Sequence, residues 1–440
     1  MSIVHCDDTL HRRLLHTVII GGGPAGCGLL TNFALNEEYK TFLSGGVAII
    51  ESGAQLGGGS IDAYSHLRSN SHGCAFFDAF EGLGIEAHDS SLNIKAPIPM
   101  GELHRLQDTI GLWHQENLNR HPISRALTNM RVVDVRQQID GSYCVRYTPA
   151  SGQERDASFY EVMAGNICIC TGGIPYTPSW LLDRNVRGEA AHEYFSGTRA
   201  PDSQAKSIAI IGYSHSAFSL GHQWQKHCPN TNITFIRRPT LKSSSQAMPH
   251  IYFSSTEAAK VSKYPFTSDD VCAETNRVHR FGGLREDARE FALQTQAYTV
   301  KPATDFHPQD YDRIIVACGL QMRSIPIWDR HGTPLYPEFN GGTVVDAQGC
   351  LFAGHRIYAF GIGAGLRPDS KTGGEPGCTR RSDGIWLYQH TVGSVVRTSL
   401  MSRANELVPK NWSSQIYNQM SGHKSLINPP LLLCQQEQHT

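Results

Sequence analysis

Three glycines spaced Gly21-x-Gly23-x-x-Gly26 interrupt the apolar run Val18-Ile19-Ile20 and give way to the helix-like stretch Cys27 to Leu35. A buried strand, a tight turn and a helix start in that order make an anion site, because the exposed helix amides face the charge. Gly21 permits the turn, Gly23 lets the backbone approach a pyrophosphate, and Gly26 lets helix and strand pack closely, with Pro24 and Ala25 between them. Gly45-Gly46 then lead into Val47-Ala48-Ile49-Ile50-Glu51, a strand ending in a carboxylate placed to accept both hydroxyls of an adenosine ribose, with Ser52 beside it. The alternative is a glycine-rich turn beside an unrelated strand end.

The pattern recurs at Ile208-Ala209-Ile210-Ile211-Gly212-Tyr213-Ser214-His215-Ser216-Ala217, where Ser214 replaces the middle glycine and Ala217 the last. Its second strand, Asn232 to Arg238, ends in arginines, which suits a 2′-phosphate and therefore NADPH over NADH. His215 caps the helix or meets the nucleotide. A purely structural α/β unit is the competing reading. Two apolar strands stop at small residues and glycine, Cys170-Thr171-Gly172-Gly173 and Ala317-Cys318-Gly319, and bracket this second unit. A late strand, Ile357 to Phe360, runs into Gly361-Ile362-Gly363.

Several elements must hold these turns in place. Glu102 to Asn119 has one apolar face and reads as a packing helix, with His104 and His114 as surface or satisfied histidines. Met130 to Val135, the Asp140-Gly141 turn, Tyr143 to Tyr147 and Phe159 to Met163 read as a three-stranded meander, followed by a separate buried strand, Asn166 to Cys170. The dense glycines Gly53, Gly57, Gly58 and Gly59 and the polar stretch to Gly73 read as a segment wrapping a ligand without regular structure, or as a surface loop. An apolar helix is expected from Gly384 to Val396, its N-terminus available to stabilise anionic charge on a bound ring system.

Composition narrows the partners. The 440 residues exceed what one core usually supports. A net charge of −1 and the lack of a long Lys/Arg run argue against nucleic acid. The 12 cysteines show no Cys-x-x-Cys and no Cys/His spacing that reads as a metal site, so reduced thiols in a cytoplasmic protein are expected. No apolar run reaches membrane-spanning length, so no membrane partner is expected, and oligomerisation stays open.

Taken together, these motifs resemble those of the FAD/NAD(P)-binding two-dinucleotide-domain flavoproteins. The resemblance rests on Gly21, Gly23, Gly26 and Glu51, the pair Gly57-Gly58, the two glycine-terminated exits, the inserted second unit, and Gly361 and Gly363. It implies an α/β fold: an FAD-binding Rossmann-like domain of parallel sheet plus β-meander, formed by residues 1–200 and 311–440, with a smaller NAD(P)H-binding-like domain inserted at 201–310. It places the backbone of Val133 against adenine and adds Gly58, Thr171 and Gly172 to the FAD contacts, with Gly212, Ser214, Ser216 and Arg237 serving NADPH.

The chain lacks the paired cysteines of the disulfide-reducing branch and carries Ile362 where many members have Asp on the ribityl chain. Only half of the flavin-containing monooxygenase signature is present, as Phe195-Ser196-Gly197, with Pro201 where His is expected. The Gly-x-Ser-x-Ser-Ala form of the second turn is similar to that of the flavin-containing and N-hydroxylating monooxygenases. The implied activity is NADPH-dependent oxygenation of a small nucleophilic or electron-rich substrate through a peroxyflavin. Asn70 and His72 are the polar groups expected over the flavin, and His72 as a plain loop histidine is the alternative. Two other functions stay open: an FAD oxidase or dehydrogenase that does not use NADPH, and a flavin-binding protein without turnover. Residues 240–300 carry no readable substrate pattern.

Overall fold

The computed structural model describes residues 13–65, 67–86, 96–151, 159–237, 286–339, 342–366 and 384–402, with short stretches between 254 and 284. Met1–Ser399 forms one compact unit. Of Leu400–Thr440, residues 400–402 are described, as the end of a helix.

Two sheets organise the described chain. The first is built around β1 (Leu14–Ile20), which is followed by α1 (Pro24–Leu35) and β2 (Val47–Ile50). The long helix α2 (Met100–Arg120) precedes β3 (Arg125–Leu127), β4 (Met130–Gln137), β5 (Tyr143–Pro149) and β6 (Tyr160–Ile169). Strands β3, β2, β1 and β6 lie parallel in that order, and β6, β5 and β4 continue the same sheet as an antiparallel meander. The strand Ile357–Ala359 pairs in parallel with the far half of β6.

The third strand of the meander and the buried strand expected after it are therefore one ten-residue strand. Gly165 suggests a break, but β6 is paired on one side to β1 from Met163 to Ile169 and on the other to β5 and then Ile357–Ala359. Ladder bonds on both edges outweigh the entropic cost of one glycine.

α1 is buried nearly all round, from Ala25 to Phe33, as expected of a helix enclosed between a sheet and other helices. Thr31 Oγ1 lies 2.9 Å from His114 Nε2 on α2, and Tyr39 OH lies 3.0 Å from His114 Nδ1. His114 is thus a satisfied core histidine, and burial lowers its pKa to about 3.

The second sheet contains β7 (Ser207–Ile211), β8 (Asn232–Arg237), β9 (Tyr298–Pro302) and β10 (Arg313–Val316), with the helix α3 (His215–His227) between β7 and β8. The order is Glu189–Ala190, β10, β7, β8, β9, all parallel. Its core gathers Ile208, Ile210, Phe218, Leu220, Trp224, Phe235 and Phe291. The sheet reaches past the expected 201–310 insertion at both ends. Its strand β10, read from sequence as a second exit from the first sheet, pairs with β7 instead.

The two crossings between the sheets run side by side. Gly173–Pro175 pairs antiparallel with Leu320–Met322, so a short ribbon carries the chain out and back.

Two further expectations are corrected. The glycine-rich segment after Glu51 contains a 3-10 turn, Gly59–Tyr64, and a strand, Arg68–His72, paired with Pro97–Pro99, followed by the helix Cys74–Leu83. The helix expected from Gly384 to Val396 is two, Ile385–Gln389 and Thr391–Ser402, broken at His390. Asn32 Nδ2 donates to the carbonyls of Gln389 (2.7 Å) and His390 (3.0 Å), which satisfies helix-end oxygens at the break. No described helix is long and apolar enough to cross a membrane.

Candidate active site: two matched nucleotide turns

The first turn shows why each glycine stands where it does. Gly21 has φ +102°, and a Cβ there would sit 2.3 Å from the Cys170 carbonyl oxygen. A Cβ on Gly26 would sit 2.1 Å from Gly21 O. Around Gly23, by contrast, the nearest atom to a Cβ is Gly59 Cα at 3.7 Å, an ordinary contact distance, so the fold itself does not exclude a side chain there. α1 starts without a side-chain cap, leaving its first amides for an anion.

Glu51 closes this turn. Its Oε2 accepts the Gly22 amide at 2.6 Å, and its Oε1 accepts the Gly53 amide at 2.7 Å and the Ser52 hydroxyl at 3.1 Å. A carboxylate offers about four acceptor positions, so the backbone bonds orient it while leaving capacity for ribose hydroxyls. Gly57, at φ +129°, donates to Gly22 O (2.8 Å), and Gly58 donates to Asp108 Oδ1 on α2 (2.8 Å). The glycine-rich segment is thereby tied to both the turn and the helix.

Of the other first-unit residues, Gly361 packs directly against this turn. Gly361, at φ +126°, would bring a Cβ within 3.3 Å of Ala25 Cβ. Gly363 packs so tightly on Gln321 that a Cβ would lie 2.5 Å from its carbonyl carbon. Ile362 between them is 41% exposed. Thr171 Oγ1 donates to Arg323 O (2.7 Å), and Gly172 has φ +71°. Val133 falls in a bulge, where the β4–β5 ladder steps from Val132 to Asp134.

The second turn repeats the first bond for bond. Gly21 N donates to Ile50 O (2.9 Å) and Gly212 N to Ile236 O (3.0 Å). Cys170 N donates to Ile20 O (2.7 Å) and Ala317 N to Ile211 O (2.8 Å). Cys27 N donates to Gly23 O (3.0 Å) and Phe218 N to Ser214 O (3.1 Å). Gly212 has φ +140°, and a Cβ there would meet Ala317 O at 2.5 Å. Ser214 starts α3 without capping it by its side chain, His215 is the first helical residue, and Ser216 follows. Arg237 ends β8, as Glu51 follows β2, so the two turns carry opposite charges at equivalent places.

Not every expected residue joins these turns. Asn70 and His72 belong to the strand Arg68–His72, with His72 opposite Pro97, but their side chains lie outside the described residues. Arg238 and most of residues 240–300 lie outside them too.

A family described as L-lysine 6-monooxygenase/L-ornithine 5-monooxygenase matches residues 113–305. A CMP-5′-(3-aminopropyl)phosphonate hydroxylase from Streptomyces rubellomurinus is 28% identical, covering 88% of this chain and 97% of the relative. Over these stretches the chain is similar to N-hydroxylating monooxygenases and to that hydroxylase.

Two solved structures share the fold of this chain. One is the FAD-bound cadaverine monooxygenase of desferrioxamine biosynthesis from Erwinia amylovora, at 13% identity and TM-score 0.52, covering 89% of this chain and 95% of that one. The other is an ornithine N-hydroxylase from Kutzneria sp. 744, at 15% identity and TM-score 0.50, covering 89% and 100%. The uncapped start of α1, with no atom closer than 3.7 Å to a Cβ placed on Gly23, fits a dinucleotide pyrophosphate.

One contact had no signal in the sequence. Tyr64 OH lies 2.5 Å from His192 Nδ1, across 128 residues of chain.

Proposed function

We propose that the protein is a monooxygenase that holds FAD at the Gly21–Gly26 turn and NADPH at the Gly212–Ala217 turn, and hydroxylates the primary amine of a small molecule. When bound, FAD supplies the oxygen chemistry, which the protein serves by orientation and by excluding water. Gly23 and the start of α1 receive the FAD pyrophosphate, Glu51 the adenosine ribose, and Val133 the adenine. Gly361 and Gly363 keep the late strand close to the turn. Ser214 and Ser216 face the NADPH pyrophosphate, and Arg237 its 2′-phosphate.

The carrying observation is the repetition of one hydrogen-bond pattern in two turns whose strand ends bear opposite charges, Glu51 and Arg237. An acid suits a bare ribose and a base a phosphorylated one, so the two turns bind different nucleotides.

The substrate class draws on the relatives, which act on an aminopropylphosphonate joined to CMP, on cadaverine and on ornithine. All three carry a primary amine on a short aliphatic chain. The test is NADPH consumption by the holoenzyme with ω-aminoalkyl phosphonates free and nucleotide-linked, ornithine, lysine and cadaverine, following hydroxylamine and hydrogen peroxide together. Hydroxylamine formed in step with NADPH loss for one amine supports the reading. NADPH loss matched by peroxide with every amine overturns it.

A further inference from the structure

The hydrogen bond between Tyr64 and His192 is placed where the two nucleotide turns would have to communicate. Tyr64 ends the 3-10 turn Gly59–Tyr64, and Gly59 lies over Gly23 of the first turn. His192 sits on the short helix Ala191–Phe195, which follows the edge strand of the second sheet. Their rings are 5.2 Å apart, and the Tyr64 ring lies 6.3 Å from that of Phe195. Tyr64 and Leu67 both pack against the core of the second sheet. In that core Tyr194 meets Trp224 of α3 at 5.9 Å, and α3 begins at the second nucleotide turn. Burial raises the Tyr64 phenol pKa, so at neutral pH it keeps its proton.

A continuous packed path thus runs from Gly23 through Gly59, Tyr64, His192 and the neighbouring Tyr194 to α3. We propose that the Tyr64–His192 pair is a latch that sets the second unit against the flavin-side segment, and that both are positioning residues for hydride delivery from NADPH to FAD. The inference rests on the two-nucleotide reading above. A side chain that only stabilised the fold would alter melting or flavin content. A latch alters the rate at which a correctly bound nucleotide reacts, because reaction geometry is sensitive to displacements of about 1 Å.

The test is anaerobic stopped-flow reduction of the FAD holoenzyme across NADPH concentrations, for wild type, Tyr64→Phe, His192→Ala, the double variant and His192→Asn. Flavin content and melting midpoint are measured on the same samples. Tyr64→Phe keeps the packed ring, and His192→Asn keeps an acceptor near the Nδ1 position. The expected result is a limiting reduction rate lowered about tenfold or more in each of the first two variants. NADPH affinity, flavin content and melting should be close to wild type, the double variant no slower than either single, and the Asn variant largely restored. Limiting rates within twofold of wild type, multiplicative losses in the double variant, or a parallel loss of flavin or melting temperature would overturn the latch. Failure of wild-type flavin to be reduced by NADPH would overturn the two-nucleotide reading instead.

Discussion

The Arg323 amide donates to the Gly172 carbonyl at 3.0 Å, and across the same ribbon the Tyr176 amide donates to Gly319 O, also at 3.0 Å. Each glycine ends an exit strand, and each is held by the residue just past the ribbon on the other crossing. Gly319 has φ +83°, with open space around the missing Cβ, so its cost on substitution is conformational and not steric. Gly319→Ala should lower unfolding free energy by about 1–2 kcal/mol and Gly319→Asn by less, since Asn tolerates the left-handed region. Urea denaturation checks this, and equal losses in the two variants would count against it.

Gly23 and Gly26 are three residues apart and should fail in different ways. Gly26→Ala forces a Cβ to within 2.1 Å of Gly21 O, a backbone atom that cannot rotate away. A loss of about 1–3 kcal/mol or more is expected. Gly23→Ala meets nothing closer than 3.7 Å. Its stability as flavin-free protein should stay within about 0.5 kcal/mol of wild type. Its FAD affinity should fall about tenfold or more, equivalent to about 1.4 kcal/mol. Flavin fluorescence titration separates affinity from stability.

His114 gives the protein an acid-sensitive core. The imidazole is fully buried, and burial lowers its pKa from 6.5 to about 3. A base with a depressed folded pKa contributes stability that is complete above the unfolded value and is lost as pH falls toward the folded one. Between about pH 6.5 and 3, each pH unit should remove about 1.4 kcal/mol through this group. His114→Gln should be less stable at pH 7.5, where Thr31 and Tyr39 lose their ring partners, yet show a flatter decline on acidification. Urea midpoints at pH 7.5, 6.5 and 5.5 measure both effects.

The nucleotide turns were legible in the sequence because their geometry forbids side chains at particular positions. Cys170 O leaves no room for a Cβ on Gly21, nor Ala317 O on Gly212. The alternating strands on either side of Asp140-Gly141 were equally legible. The break at His390 was not, because Gly393 sits within an otherwise helical pattern and its close approach to Tyr388 O and to Asn32, over 350 residues earlier, exists only in the fold. The strand Arg68–His72 was missed for a similar reason, since it exists through pairing with Pro97–Pro99. Tyr64 and His192 belong to no motif that links them, and only the fold brings them together across 128 residues.

Arg237 carries the prediction that bears most directly on cofactor choice. Tyr213, the residue after Gly212, packs its ring on Phe218 at 5.1 Å and on Phe235 at 6.0 Å. Phe235 and Arg237 are two apart on one strand and share a face, so Tyr213 and Arg237 border the same side of β8. Burial raises the Tyr213 phenol and the nearby Arg237 charge works against that rise. The corresponding place in the first unit is Gly22, where a Cβ would meet Leu56 Cδ2 at 2.4 Å and the amide is needed for Glu51. The second turn therefore has a side-chain wall and a cation where the first has bare backbone and an anion. A charge-assisted bond to phosphate contributes about 1.5–3 kcal/mol. Arg237→Ala should accordingly raise the NADPH Michaelis constant about 10- to 100-fold, leave that for NADH nearly unchanged, and retain FAD. Binding of 2′,5′-ADP should weaken by the same factor while binding of ADP does not. Equal weakening of the two would mean that Arg237 supports the strand end and does not read the 2′-phosphate.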